Sequence, residues 1–165
     1  MGRIDKENYY LDIAQTVAGR STCLRRCYGA ILVKSDEIIS TGYNGAPRGR
    51  RNCVDLNYCT REALNIPSGE RYELCRSVHA EANAIISAAR SEALGATLYM
   101  ACVEPDTGTL IPGSTSCSMC RRLIINAGIA RVVIRDTRTE YRVVDVADWV
   151  REDDSLPQPL AADGE

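Results

Sequence analysis

The chain has one histidine, His79, which stands two residues before Glu81, and 38 residues further on Cys117 and Cys120 form a CxxC pair. One imidazole and two thiolates are donors that zinc prefers, and three protein ligands leave the fourth tetrahedral position to water, as a catalytic site requires. Both sulfurs are expected on one side of a helix start, where the helix dipole favours negative charge. Zinc lowers the pKa of water toward about 7, which makes hydroxide available at neutral pH to attack an electron-poor carbon. Glu81 lies close to such a water without entering the ligand set, so its expected part is proton transfer to a leaving group. Taken one at a time the residues have plainer uses. A CxxC can be redox-active or structural, and a glutamate in a first helical turn can serve as a solvated capping acid.

Both halves of this constellation need helices to carry them. HAEANAIISAAR, 79–90, is alanine-rich and reads as a helix, and CSMCRRLIINAG, 117–128, reads as a second one ending at Gly128. Residues 6–19 have apolar side chains at helical spacing, with Gly19 as the stop. GAILVK, 29–34, and EIISTGY, 37–43, are β-rich runs joined by Ser35 and Asp36, which predicts a hairpin. ATLYMACV, 96–103, predicts a buried strand, IARVVIR, 129–135, another, and YRVVDVADW, 141–149, a strand running into a short helix. Strands alternating with helices imply a three-layer α/β domain: a mixed five-stranded sheet with helices on both faces, and the helices of His79 and Cys117 meeting over one face. Residues 44–77 lack an apolar period and read as a long loop with one helical turn near 59–65, costly to order without a staple. The domain is expected to cover 1–152, and 153–165 to be a disordered tail.

Bulk properties fit one enzyme-sized domain. The 165 residues are 45% apolar and 25% charged, and no stretch approaches the length and apolarity of a membrane span. The N-terminus lacks the apolar core of a signal peptide, which predicts a cytoplasmic protein. A formal net charge of −2 argues against a broad nucleic-acid surface but allows a local cluster for one phosphate. Eight cysteines without an export signal point to metal ligation before disulfides.

The H-x-E and C-x-x-C halves match the signature of zinc nucleobase deaminases. RSTCLRR with GAILVK, ISTGYNGAPRG, VHAEANAI, GATLYM and CSMCRRLIINAGI follow in the order found in the deoxycytidylate deaminases of the cytidine deaminase-like superfamily, which the chain resembles over residues 5–150. The resemblance implies the α/β/α cytidine deaminase-like fold and hydrolysis of dCMP to dUMP and ammonia, supplying thymidylate nucleotide synthesis. It also implies that Asn44 bonds the sugar 3′ hydroxyl and that the Ala80 amide reads the pyrimidine carbonyl; alternatively, Asn44 is a turn residue at positive φ beside Gly45. For the phosphate, Ser21, Arg25 and Arg26 are the favoured donors, with an ordinary solvated basic turn as the other reading. Some relatives carry a second, structural zinc, for which Cys23, Cys53, Cys59 and Cys75 are candidates; buried thiols, as expected for Cys27 and Cys102, are the alternative. Hexamers, regulation by dCTP and dTTP, and an effector site at Gly42, Tyr43 and Gly45 are further implications.

Three positions depart from the family pattern. Ser116 stands where a proline usually precedes the first cysteine, and Cys27 and Tyr28 replace a basic residue and a valine near the pocket. The segment EPDTGTLIPGSTS, ahead of Cys117, is expected at the pocket rim. Two other functions remain open on the residues alone: deamination of another nucleobase, as a nucleoside or in RNA, and a catalytically silent zinc-binding regulator.

Overall fold

A computed structural model of the chain describes residues 2–157. Helix α1, Lys6–Ala18, starts where the Asp5 carboxylate accepts the Asn8 amide at 2.9 Å. The hairpin follows as β1, Cys27–Lys34, and β2, Glu37–Tyr43. Its turn residues Ser35 and Asp36 both have positive φ, which matches the twist of the flanking strands. Strands β3, Thr97–Val103, β4, Arg131–Arg135, and β5, Tyr141–Asp145, complete a sheet of order β2-β1-β3-β4-β5. Only β3 and β4 pair in parallel, so the sheet is mixed, as expected.

The central strands bury both faces, and their period of two assigns each residue to a layer. Ile31, Tyr99, Ala101 and Val133 pack under α1 with Leu11 and Ala14. Ala30, Leu32, Leu98, Met100, Val132 and Ile134 face the other way, against Ala80 and Ala84 of α4, Ala80–Ile86, and Ile124 of α6, Ser118–Ala127. Two glycines let the helices approach the sheet. A Cβ on Gly29 would lie 2.1 Å from the Ala14 carbonyl oxygen, and one on Gly42 would lie 2.3 Å from that of Ala80. Gly42 thereby sets how closely the start of α4 sits on β2.

Two expectations change. The helix expected over 79–90 ends at Ile86, and a separate turn, α5, Arg90–Ala93, begins where Glu92 accepts the Ala89 amide. Alanine content favours a helix but does not set its length; here the chain turns so that Ala93 and Ala96 enter the core before β3. The 44–77 segment holds more than one helical turn: α2, Cys53–Leu56, α3, Thr60–Ala63, and a 3-10 turn at Tyr72–Leu74. Its staple is Arg61, only 6% exposed, whose guanidinium donates to the carbonyls of Pro67 and Glu70 at 2.7 and 2.8 Å. Helix α7, Val146–Glu152, follows β5, with Asp145 accepting the Ala147 amide. Of the tail expected at 153–165, residues 153–157 begin with a turn in which Asp154 pairs with Arg121 at 2.9 Å. The remainder, 158–165, lies outside the described residues.

Candidate active site

Two helix N-termini deliver the expected trio to one point. His79 is the residue that caps α4 and Cys117 the one that caps α6, with Cys120 in the first turn behind it. His79 Nδ1 lies 3.5 Å from Cys117 Sγ and 3.4 Å from Cys120 Sγ, and all three donor atoms fall within 4.8 Å of one another. A tetrahedral zinc with bonds of about 2.0–2.3 Å spaces a nitrogen and a sulfur ligand about 3.6 Å apart, so the donor set and its spacing fit that ion.

Three donors converging on one point share their protons unevenly. A hydrogen bond from Cys120, together with His79, overcomes burial and draws the Cys117 thiol well below its usual range, while the Cys120 thiol is pushed up by that same pairing and by burial. Burial disfavours the charged His79 imidazole, but bonds to the Cys117 and Cys75 sulfurs outweigh it and raise the group to about 10. Glu81 is 4% exposed, and burial raises its carboxyl above the usual range against the opposing pull of the Ser116 hydroxyl. A carboxyl displaced in that direction binds a proton more readily than an exposed glutamate, as a proton carrier needs.

His79, Glu81 and Cys117 line a cavity of about 580 Å³, together with Asn44, Ala80, Arg25 and Arg26, and Cys120 is buried behind them. Ala80 is the first residue of α4, a position whose amide has no acceptor within the helix. Asn44 is buried, and its φ is not positive, so the turn reading does not hold. Arg25 is ion-paired with Glu62 at 3.1 Å. Ser21 is not a lining residue: its hydroxyl is spent on Asn44 Oδ1 at 2.6 Å.

Other expected groupings are looser. Cys23, Cys59 and Cys75 line the same cavity, and with burial they raise the thiol of buried Cys53, yet these four sulfurs do not converge as the trio does. All eight cysteines are free. Burial raises the thiols of Cys27 and Cys102, as expected for packed side chains. Gly45 exchanges backbone hydrogen bonds with Val78, and the Tyr43 carbonyl accepts from Asn83 at 2.8 Å, so with Gly42 the expected effector segment also serves to seat α4.

Several contacts at the cavity were not readable from the sequence. Tyr72 stands edge-on to His79, with ring centroids 5.1 Å apart, and the Arg61 guanidinium lies 4.2 Å over the opposite partner, the Tyr72 ring. Ser116, 1% exposed, flanks Glu81 and donates toward Met100 Sδ. Arg121 donates to the Ser116 carbonyl at 3.1 Å. The rim segment is fixed by Asp136, which accepts the Gly113 amide at 2.7 Å, and by Arg142, which donates to Asp136 and to the Ser114 carbonyl. None has a motif because residue type alone does not say which partner each will meet, whether near in the chain, as Arg121 and Ser116, or far from it, as Gly113 and Asp136.

Comparison with known proteins agrees with this geometry. A deoxycytidylate deaminase of Mycobacterium phage D29 is 39% identical over 138 residues, covering 81% of this chain and 96% of that protein. One from Schizosaccharomyces pombe is 35% identical over 127 residues, covering 77% of this chain but 36% of the yeast protein. Among solved structures, dCMP deaminase from cyanophage S-TIM5 superposes with TM-scores of 0.55 in apo form and 0.53 in complex with dCMP and dUMP. Both are 24% identical and cover 81% of this chain, with 85% and 84% of the phage chain, a likeness of fold. Residues 4–136 match the cytidine and deoxycytidylate deaminase zinc-binding region, and the chain belongs to that family.

Proposed function

We propose that this protein hydrolyses dCMP with water to dUMP and ammonia. The observation that carries the reading is a buried glutamate, Glu81, beside a converging His79, Cys117 and Cys120 trio in a cavity that also presents Arg25 and Arg26. Its relatives in phage D29 and S. pombe are deoxycytidylate deaminases.

His79 Nδ1, Cys117 Sγ and Cys120 Sγ would hold zinc, which supplies Lewis acidity and lowers the pKa of water in the open position. The Ala80 amide, at the positive end of α4, donates to the pyrimidine carbonyl and orients the ring. Asn44 holds the sugar at its 3′ oxygen. Arg26 and Arg25 face the phosphate as charge-assisted donors, with Ser21 acting behind Asn44. Glu81 takes one proton from the attacking water and passes it to the ring nitrogen, then takes the other from the hydroxyl added at the ring carbon and delivers it to the amine, so that the C–N bond breaks, the new carbonyl forms and ammonia leaves neutral. Burial excludes bulk water from Glu81 and keeps both protonation states within reach.

Incubation with dCMP, CMP, dCTP and deoxycytidine, with ammonia as the readout, tests the assignment. Deoxycytidine turned over as well as dCMP would remove the phosphate site, and no ammonia from any of the four would remove the enzyme. A second, structural zinc on Cys23, Cys53, Cys59 and Cys75 forms part of this reading, supported by buried Cys53, whose thiol is raised by burial and by the other three sulfurs nearby. Metal analysis should then give two zinc ions per chain, and one would exclude it. We further propose a hexamer, regulation by dCTP and dTTP near Gly42, Tyr43 and Gly45, and a cytoplasmic location. Light scattering, turnover with each effector and cell fractionation test these in turn. Among the described residues no helix is long and apolar enough to cross a membrane.

A further inference from the structure

Three of the four hydrogen-bonding positions on the Asn44 side chain are taken inside the protein. Oδ1 accepts the Tyr28 backbone amide at 2.8 Å and the Ser21 hydroxyl at 2.6 Å, and Nδ2 donates to the Arg26 backbone carbonyl at 2.8 Å. A backbone amide can only donate and a backbone carbonyl can only accept, so these partners fix which end of the side chain is oxygen. A primary amide has two acceptor lone pairs and two N–H donors. The internal bonds use both lone pairs and one N–H. One N–H is left over, on a side chain that is 6% exposed and lines the cavity.

We infer that Asn44 offers a bound nucleotide one donor and no acceptor, with Ser21 occupying the last acceptor position. The inference rests on the deaminase reading, which seats the sugar 3′ oxygen at Asn44, and it sets the polarity of that contact. The 3′ oxygen is read as an acceptor and must direct its own hydrogen elsewhere. A group of the same size with donors only meets N–H against N–H and is refused. Ser21 is a positioning residue: it touches no substrate and acts by closing Asn44 Oδ1.

Product analogues test this without turnover. The zinc-loaded protein is titrated calorimetrically with dUMP, with 2′,3′-dideoxyuridine monophosphate, and with 3′-amino-2′,3′-dideoxyuridine monophosphate at a pH where the amine is protonated. These carry, at the 3′ carbon, an acceptor with a donor, neither, and donors only. dUMP should bind about tenfold more tightly than the dideoxy compound, one hydrogen bond's worth, and the ammonium analogue should bind more weakly still. In spectra of ¹⁵N-labelled protein, one Asn44 Nδ2 proton should move downfield with dUMP and stay in place with the dideoxy compound. An ammonium analogue that binds as tightly as dUMP overturns the inference, and so does dUMP binding without a shift of that proton. Failure of all three compounds to bind overturns the nucleotide reading itself, which distinguishes the two failures.

Discussion

At the scale of single residues, the site separates groups that act from groups that hold them. In the proposed reaction Glu81 acts, and its position two residues past His79 keeps it beside the trio without making it a ligand. Glu81→Ala should retain zinc and lower turnover by about 10³-fold, within the range of a lost general acid and base, as checked by ammonia release and metal analysis on the same preparation. Ser21 holds: its hydroxyl is one of three bonds on the Asn44 amide. Ser21→Ala should raise KM for dCMP by roughly fivefold, near the net worth of a hydrogen bond, and shift KM more than kcat in steady-state assays. His79, Glu81, Cys117 and Cys120 were legible in the sequence because metal chemistry permits few residue types at few spacings. Ser116 stood out only as a departure from the family pattern, and Tyr72 and Arg121 did not stand out at all, because serine, tyrosine and arginine serve equally well on any surface.

At the scale of elements, the chemistry depends on two helix N-termini meeting over one face of the sheet. Gly42 admits α4 to that face, with backbone atoms where a side chain would go. Gly42→Ala should push α4 outward, lowering Tm by about 10 °C, as expected for a steric clash of a few kcal/mol, and reducing kcat/KM through a displaced His79 and Glu81. Differential scanning fluorimetry and kinetics on one variant check both. The hairpin, α1, β3, α6, β4 and β5 were read from period and caps to within about two residues, the usual uncertainty of element ends. The short α4 and the turns of the 44–77 segment were not. Where α4 ends depends on Ala93 and Ala96 entering the core, and the order of the long segment depends on Arg61 finding two carbonyls and the Tyr72 ring.

At the scale of the whole molecule, the rim of the cavity is tied to the far edge of the sheet. Asp136 links the Gly113 amide to Arg142 on β5, and the Arg142 hydrogen bond is the main cause holding its carboxyl below the usual value. A depressed carboxyl contributes stability that is present above its unfolded pKa and is lost as pH falls through the folded one. Wild-type Tm should therefore decline as pH is lowered below about 4. Asp136→Asn should be less stable at pH 7 and show a smaller part of that acid decline, measured by thermal melts across pH. Loosening the rim should also raise KM, since residues 113–116 lead directly to Cys117.

Sequence alone determined the candidates for metal donors and proton carrier, the alternation of strands and helices, and the family that those features resemble. Each follows from local rules: ligand preference, periodicity of side chains, and capping. The tertiary structure alone decided which way the Asn44 amide faces, that Ser21 stands behind it rather than in the cavity, that four further cysteines do not converge as the trio does, and that Arg61 is a staple. These outcomes depend on distances between residues far apart in the chain, and hydrogen bonding and ligation act only when such distances close to a few ångströms.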